Sequence, residues 1–167
     1  KAREEKEKYY GNNVFIRGLI EISNICKNDC YYCGIRRSNQ NCERYRLTEE
    51  DILECCREGY ELGFRTFVLQ GGEDGTHTDE WLVELIADMR TTYPDVAITL
   101  SLGERTEESY RKLKEAGANR YLLRHEAANE ELYASLHPSS KGLRHRLGCL
   151  EALKRCGYQT GMGMMIG

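Results

Sequence analysis

Cys26, Cys30 and Cys33 stand in a C-x3-C-x2-C spacing. Thiolates are soft ligands, and three of them this close in sequence converge on one site in a loop. That donor set suits an iron–sulfur cluster with one iron left open. It also suits part of a structural zinc site, which takes four ligands, commonly as two paired knuckles. Cys42 is the available fourth thiol, although it lies in a polar stretch with no second knuckle beside it. A chance grouping of reduced thiols is the plainest reading. Cys55, Cys56, Cys149 and Cys156 fall on helix faces and read as small core hydrophobes. His77, His125, His137 and His145 show no H-x3-H-type pairing and read as structural or surface residues.

Composition narrows the setting. The chain has 167 residues, of which 40% are hydrophobic and 31% charged, with a net charge of -3. This is enough for one domain with a core. No apolar run approaches the roughly 18 residues of a membrane helix, and no tripartite signal peptide opens the sequence. The charge excludes a general nucleic-acid binder. Eight cysteines without an export signal point to a cytoplasmic protein that keeps its thiols for metal or redox work.

The thiols need a scaffold, and the pattern supplies one. Lys1 to Tyr10 reads as the end of a helix or a solvated arm. Strands are expected at Val14–Ile22, Thr66–Gln70, Val96–Leu102, Arg120–Arg124 and Gln159–Ile166. Thr48 caps a helix that carries Ile52, Cys55, Cys56 and Leu62 near one face and ends at Gly63. Further helices are expected at Asp79–Thr92, stopped by Pro94, then Glu107–Ala116, Asn129–Leu136 and Leu143–Cys156. Strands alternating with helices mean repeated βα units and a parallel sheet.

Two strands alternate in a telling way. Thr99 and Ser101 share one face, with Ile98, Leu100 and Leu102 on the other. Arg120, Leu122, Arg124 and Glu126 share one face, with Tyr121 and Leu123 on the other. Strands of an open, doubly covered parallel sheet read apolar throughout. A polar face that is nonetheless enclosed fits a barrel lumen holding a charged ligand; charges at solvated strand ends are the simpler alternative. A (β/α)8 TIM-type barrel takes about 250 residues. The expected fold is therefore α/β, a barrel truncated to about its first five βα units. Residues 1–167 then form the N-terminal part of a single barrel domain.

Three cysteines in this spacing directly after strand one, with Tyr32 before the last, resemble the radical S-adenosylmethionine (SAM) superfamily. The resemblance implies a [4Fe–4S] cluster on Cys26, Cys30 and Cys33. Its open iron would take the amino and carboxylate groups of SAM, and cleavage would give a 5′-deoxyadenosyl radical. Gly71-Gly72-Glu73 matches the superfamily's GGE motif, and Tyr32 would pack near the adenine. The resemblance also assigns Ser101, Arg124, Glu126 and Arg146 to SAM contacts. It assigns the Gly161–Gly167 segment, with Met165, to the adenine strand.

Longer strings sharpen the match. They are Val14 to Asn24, Leu69 to Asp74, Thr99 to Glu104 and Arg120 to Glu126. Within the superfamily they resemble the maturases of [FeFe]-hydrogenase. That implies a part in building the diiron subcluster from a small cysteine-bound iron carbonyl–cyanide species. It also implies other hydrogenase maturases as partners and an electron donor such as ferredoxin or flavodoxin, under anaerobic conditions. Gln70, Thr99 and Arg120 fall at substrate-cavity positions of that family. Gly71 departs from it, because relatives often carry serine there. Methylornithine synthase and biotin synthase are the alternatives among barrel relatives; a zinc-stapled binding module is the alternative outside enzymes.

Overall fold

Each expected strand pairs with its neighbour in the chain. A computed structural model describes residues 1–166. The elements are α1 (Ala2–Tyr10), β1 (Gly18–Ser23), α2 (Glu49–Glu61), β2 (Thr66–Gly71), α3 (Asp79–Thr92), β3 (Ala97–Ser101), α4 (Glu107–Glu115), β4 (Arg120–Leu122), α5 (Glu130–Leu136), α6 (Leu143–Arg155) and β5 (Gln159–Gly161). The five strands form one parallel sheet in sequential order, β1-β2-β3-β4-β5. That is the winding of a (β/α)8-type barrel, with a helix crossing back after each strand.

Strand alternation divides the sheet into two faces. Ile20, Leu69, Leu100 and Tyr121 lie in register across β1 to β4 and are buried. They pack with Leu82, Leu85, Ile86 and Met89 of α3 and with Leu150 and Leu153 of α6 in one core. The other face carries Glu21, Gln70 and Ser101 in one row, and Leu19, Val68, Thr99, Arg120 and Gln159 in the next. Polar residues on one face and apolar residues on the other confirm the expected division of β3 and β4.

Local chemistry starts four of the helices. Thr48 and Asp51 form a capping box on α2, and Thr78, Thr106 and Asn129 accept amide bonds at the starts of α3, α4 and α5. Each such cap contributes about 1 kcal/mol.

Several boundaries differ from expectation. β1 begins at Gly18, and Val14, Phe15 and Ile16 are exposed. Pairing decides this, because Gly18 is the first β1 residue with a partner on β2, Phe67. β5 stops at Gly161, and Met162, Met164, Met165 and Ile166 are exposed. Beyond it, among the described residues, the pairing is reduced to one bridge between Met164 and Glu126, and Gly167 lies outside the described residues. On α2 the buried residues are Ile52 and Cys56, while Cys55 and Leu62 are exposed. Steps of about 100° per residue set Cys55 and Leu62 together on one flank of that face, about a quarter turn from its centre. Cys149 is buried as expected, whereas Cys156, the cap of α6, is half-buried.

Candidate active site

The thiol loop runs from the end of β1 to the start of α2, residues 24–48, with no helix and no strand of its own. Polar bonds give it shape. The Arg44 guanidinium donates to four carbonyls: Asn24 at 2.6 Å, Ile35 at 2.9 Å, Arg36 at 2.7 Å and Asn39 at 3.1 Å. Asn24 closes the loop base, donating to the Glu43 carbonyl and accepting from the Tyr45 amide. The Tyr31 amide donates to the Leu136 carbonyl at the end of α5. Buried His137 stacks on Tyr133 and stands 3.3 Å from the Tyr32 hydroxyl. Burial holds that imidazole below its usual range, although the Tyr133 carbonyl pulls the other way.

The GGE turn lies directly against this loop. A Cβ on Gly72 would stand 2.2 Å from the Ile25 carbonyl oxygen and 2.7 Å from Cys26 Cβ, so only glycine fits. The next residues anchor the turn. Asp74 accepts the Arg46 guanidinium at 2.5 and 3.0 Å and the Ser23 hydroxyl at 2.8 Å. Burial would raise the Asp74 carboxyl, but those partners and the Thr76 amide hold it well below the carboxylate range.

Cys26, Cys30 and Cys33 are half-buried and free. Burial pushes the Cys30 thiol up; the Lys141 and Arg146 cations pull it down, and the Cys26 and Cys33 thiols add to the rise. The three thiols thus share one electrostatic neighbourhood, with two cations at hand to balance thiolates. Among the described residues no three His, Cys, Asp or Glu side chains converge on a single ion position. A cluster places each thiolate on a different iron and does not require that convergence. The donor set and the adjacent cations fit a [4Fe–4S] cluster. The Cys42 sulfur lies 3.6 Å from the Asn24 amide nitrogen.

Beside the thiols lies a buried ion cluster that reaches across four elements. Lys141 Nζ, between α5 and α6, contacts Glu73 at 3.1 Å and Glu104 at 2.5 Å. Arg146 of α6 donates through Nε to Glu104 at 2.5 Å and through Nη1 to the Arg124 carbonyl at 2.8 Å. All four side chains are less than a tenth exposed. Burial would raise Glu73, but the Glu104 amide and Lys141 outweigh it and hold it low. Burial would lower Lys141, but Glu104 and Glu73 outweigh it and hold it high.

Five of the SAM-contact candidates meet at the strand ends, in a recess that Tyr32 and Met165 do not line. Ser101, Gly71, Arg124, Glu126 and Arg146 line one recess with Asn24 and Ile35 of the thiol loop. Glu126 has a φ of 59°, in the left-handed region, which side chains other than glycine seldom adopt. The β5 extension holds it there, through the Gly163 carbonyl and the Met165 amide. Glu126 lines this recess together with Arg124 and Arg146. Such a set fits a ligand with a carboxylate at one end and ribose hydroxyls at the other. Gln70 lines the same recess, while Thr99 and Arg120 lie in the next row of the polar face. Gln70 bonds Glu21 at 3.1 Å, Arg120 bonds Gln159 at 2.6 Å, and Thr99 Oγ1 is buried without a partner.

The sequence pattern did not single out Arg44, Glu104 or Lys141, whereas His137 is structural, as expected. Charged residues in loops read as solvated, and nothing local says that Lys141 meets a carboxylate 68 positions earlier. The one local signal is at the start of α6, which has neither a side-chain cap nor an acidic first turn, unlike α2, α3, α4 and α5.

Among the described residues no helix is long and apolar enough to cross a membrane. The chain is 47% identical over 166 residues to the [FeFe] hydrogenase maturase subunit HydE of Thermotoga maritima, covering 99% of this chain and 47% of that protein. It is 32% identical over 168 residues to 3-methylornithine synthase of Methanosarcina acetivorans, covering 99% and 47%. The crystal structure of methylornithine synthase superposes with a TM-score of 0.92 at 32% identity, covering 99% of this chain and 49% of that one. The chain spans about half the length of the curated relatives it matches. Residues 20–167 match the Radical SAM superfamily. Because that match takes in the thiol loop and every element after it, the chain belongs to the radical SAM superfamily.

Proposed function

We propose that this enzyme acts in maturation of [FeFe]-hydrogenase, on a small cysteine-bound iron carbonyl–cyanide species, within a reducing and anoxic cytoplasm. Cys26, Cys30 and Cys33 hold the [4Fe–4S] cluster. When bound, cluster and SAM together supply one-electron cleavage of the sulfonium S–C5′ bond, with the electron drawn from a donor such as ferredoxin or flavodoxin. The chain's own groups bind and orient. Arg146 and Arg124 receive the SAM carboxylate, Glu126 takes the ribose hydroxyls, and Ser101 and Gly71 border them. Gly72 lets the GGE backbone approach the thiol loop. Tyr32 would pack near the adenine, and the segment with Met165 would run beside it. The GGE turn would meet the SAM ammonium through its backbone and through the Glu73 carboxylate, which also holds Lys141 and accepts from the Glu104 amide.

The observation that carries the substrate reading is the polar row. Thr99 Oγ1 is a buried hydroxyl without a partner, paired in register with Arg120. A buried polar atom left unpaired costs about 1–3 kcal/mol, which a ligand acceptor would relieve. Arginine and a hydroxyl suit an anionic, cyanide-bearing ligand. The likeness to HydE supports the same reading.

Arg120→Ala tests it in the full-length protein, with the other maturases present. Hydrogenase activation is expected to fall about tenfold or more, with the cluster and SAM binding kept. Unchanged activation would remove Arg120 from the substrate site. Turnover of lysine by the wild-type enzyme would favour a methylornithine-synthase activity, in keeping with the close superposition on that enzyme.

A further inference from the structure

We propose that Lys141 is a positioning residue, which joins the carboxylates of Glu73 and Glu104 so that Arg146 is presented to the SAM carboxylate. The inference rests on the SAM site proposed above. Glu73 and Glu104 are both buried, and like charges so placed repel unless a cation lies between them. Lys141 Nζ is that cation, with contacts to both carboxylates. Glu104 then has its second oxygen free for Arg146 Nε at 2.5 Å, while Arg146 Nη1 is held by the Arg124 carbonyl at 2.8 Å. With Nε and Nη1 fixed, the guanidinium plane is set, and Nη2 remains for a ligand in the recess that Arg146 lines.

Charge balance gives the consequence. With Lys141 present, two carboxylates face two buried cations. Lys27 approaches Glu73 at 3.4 Å but is 67% exposed and offers little in a screened position. Without Lys141, Arg146 is, among the described residues, the one buried cation left for two carboxylates, since His145, 3.9 Å from Glu104, is 70% exposed; Arg146 is then drawn to them and away from the incoming anion.

The test is Lys141→Met in the full-length, cluster-loaded protein, with binding measured for two probes. SAM carries the carboxylate, and 5′-methylthioadenosine carries only the adenosyl part. The dissociation constant for SAM is expected to rise about tenfold or more, while 5′-methylthioadenosine binding and iron content stay at wild-type levels. Lys141→Arg, which keeps the charge, is expected to bind SAM within about threefold of wild type. Wild-type affinity for SAM in Lys141→Met would overturn the proposal, as would an equal loss for both probes. Should the methionine variant fail to fold, Lys141→Gln carries the same test. Failure of the wild-type protein itself to bind SAM would strike the site assignment and not the role of Lys141.

Discussion

The thiol loop and the sheet behind it are held by opposite means. The sheet rests on apolar burial, with Leu69, Leu100 and Tyr121 in register and fully covered by helices. The loop has almost no core. Side chains reach its backbone carbonyls instead, Arg44 above all, and a buried ion cluster braces it from the side. A core packed to crystal density tolerates little change in volume. A loop held by polar bonds can instead be shaped around a prosthetic group, because each bond fixes one carbonyl at a time. The difference assigns stability to one region and chemistry to the other, as in barrels generally, where loops at the strand ends carry the site.

The comparison can be broken at either end. Arg44→Met removes the strut of four carbonyls. Cluster incorporation is expected to fall about tenfold or more, the range seen when groups supporting metal ligands are lost. The midpoint of urea unfolding should move by less than about 0.5 kcal/mol equivalent. Iron analysis and urea titration of the same sample check both parts, and a matched fall in stability would make Arg44 part of the scaffold. Leu100→Ala tests the other region. It opens a cavity under a residue with no exposure, and should destabilise by about 3 kcal/mol while leaving iron per folded molecule unchanged.

Asp74 stands at the junction, bonded to Arg46, to Ser23 and to the Thr76 amide. Its folded pKa is depressed, so its contribution is complete above the ordinary aspartate value near ~3.9 and is lost as pH falls toward the folded value. Asp74→Asn should cost about 2 kcal/mol at neutral pH. The gap between variant and wild type should close as the pH falls below about 4. Urea midpoints at pH 7, 4 and 3 measure this; a gap that stays constant would mean that the carboxylate charge is not what stabilises the junction.

The sequence was most readable where physics is local. α3 runs over Asp79–Thr92 as expected, because Leu82, Leu85, Ile86 and Met89 repeat at helical spacing and Pro94 follows. The division of β3 and β4 into two faces was readable for the same reason, since a period of two needs no knowledge of partners. The failures lie where a partner decides. Val14 to Ile16 are apolar and β-branched or aromatic, yet no strand pairs with them, so they stay outside the sheet. The thiols announced themselves by spacing. Arg44, Glu104 and Lys141 did not, because their partners are carbonyls and carboxylates that only the fold brings near.

The central claim is that three thiols hold a cluster with one iron left for SAM. Electron paramagnetic resonance of the full-length protein, anaerobically reconstituted and reduced, tests it with and without SAM. The account predicts a reduced [4Fe–4S] signal that shifts when SAM is added. Bound zinc with no such signal, or a cluster signal that SAM leaves unmoved, would contradict it.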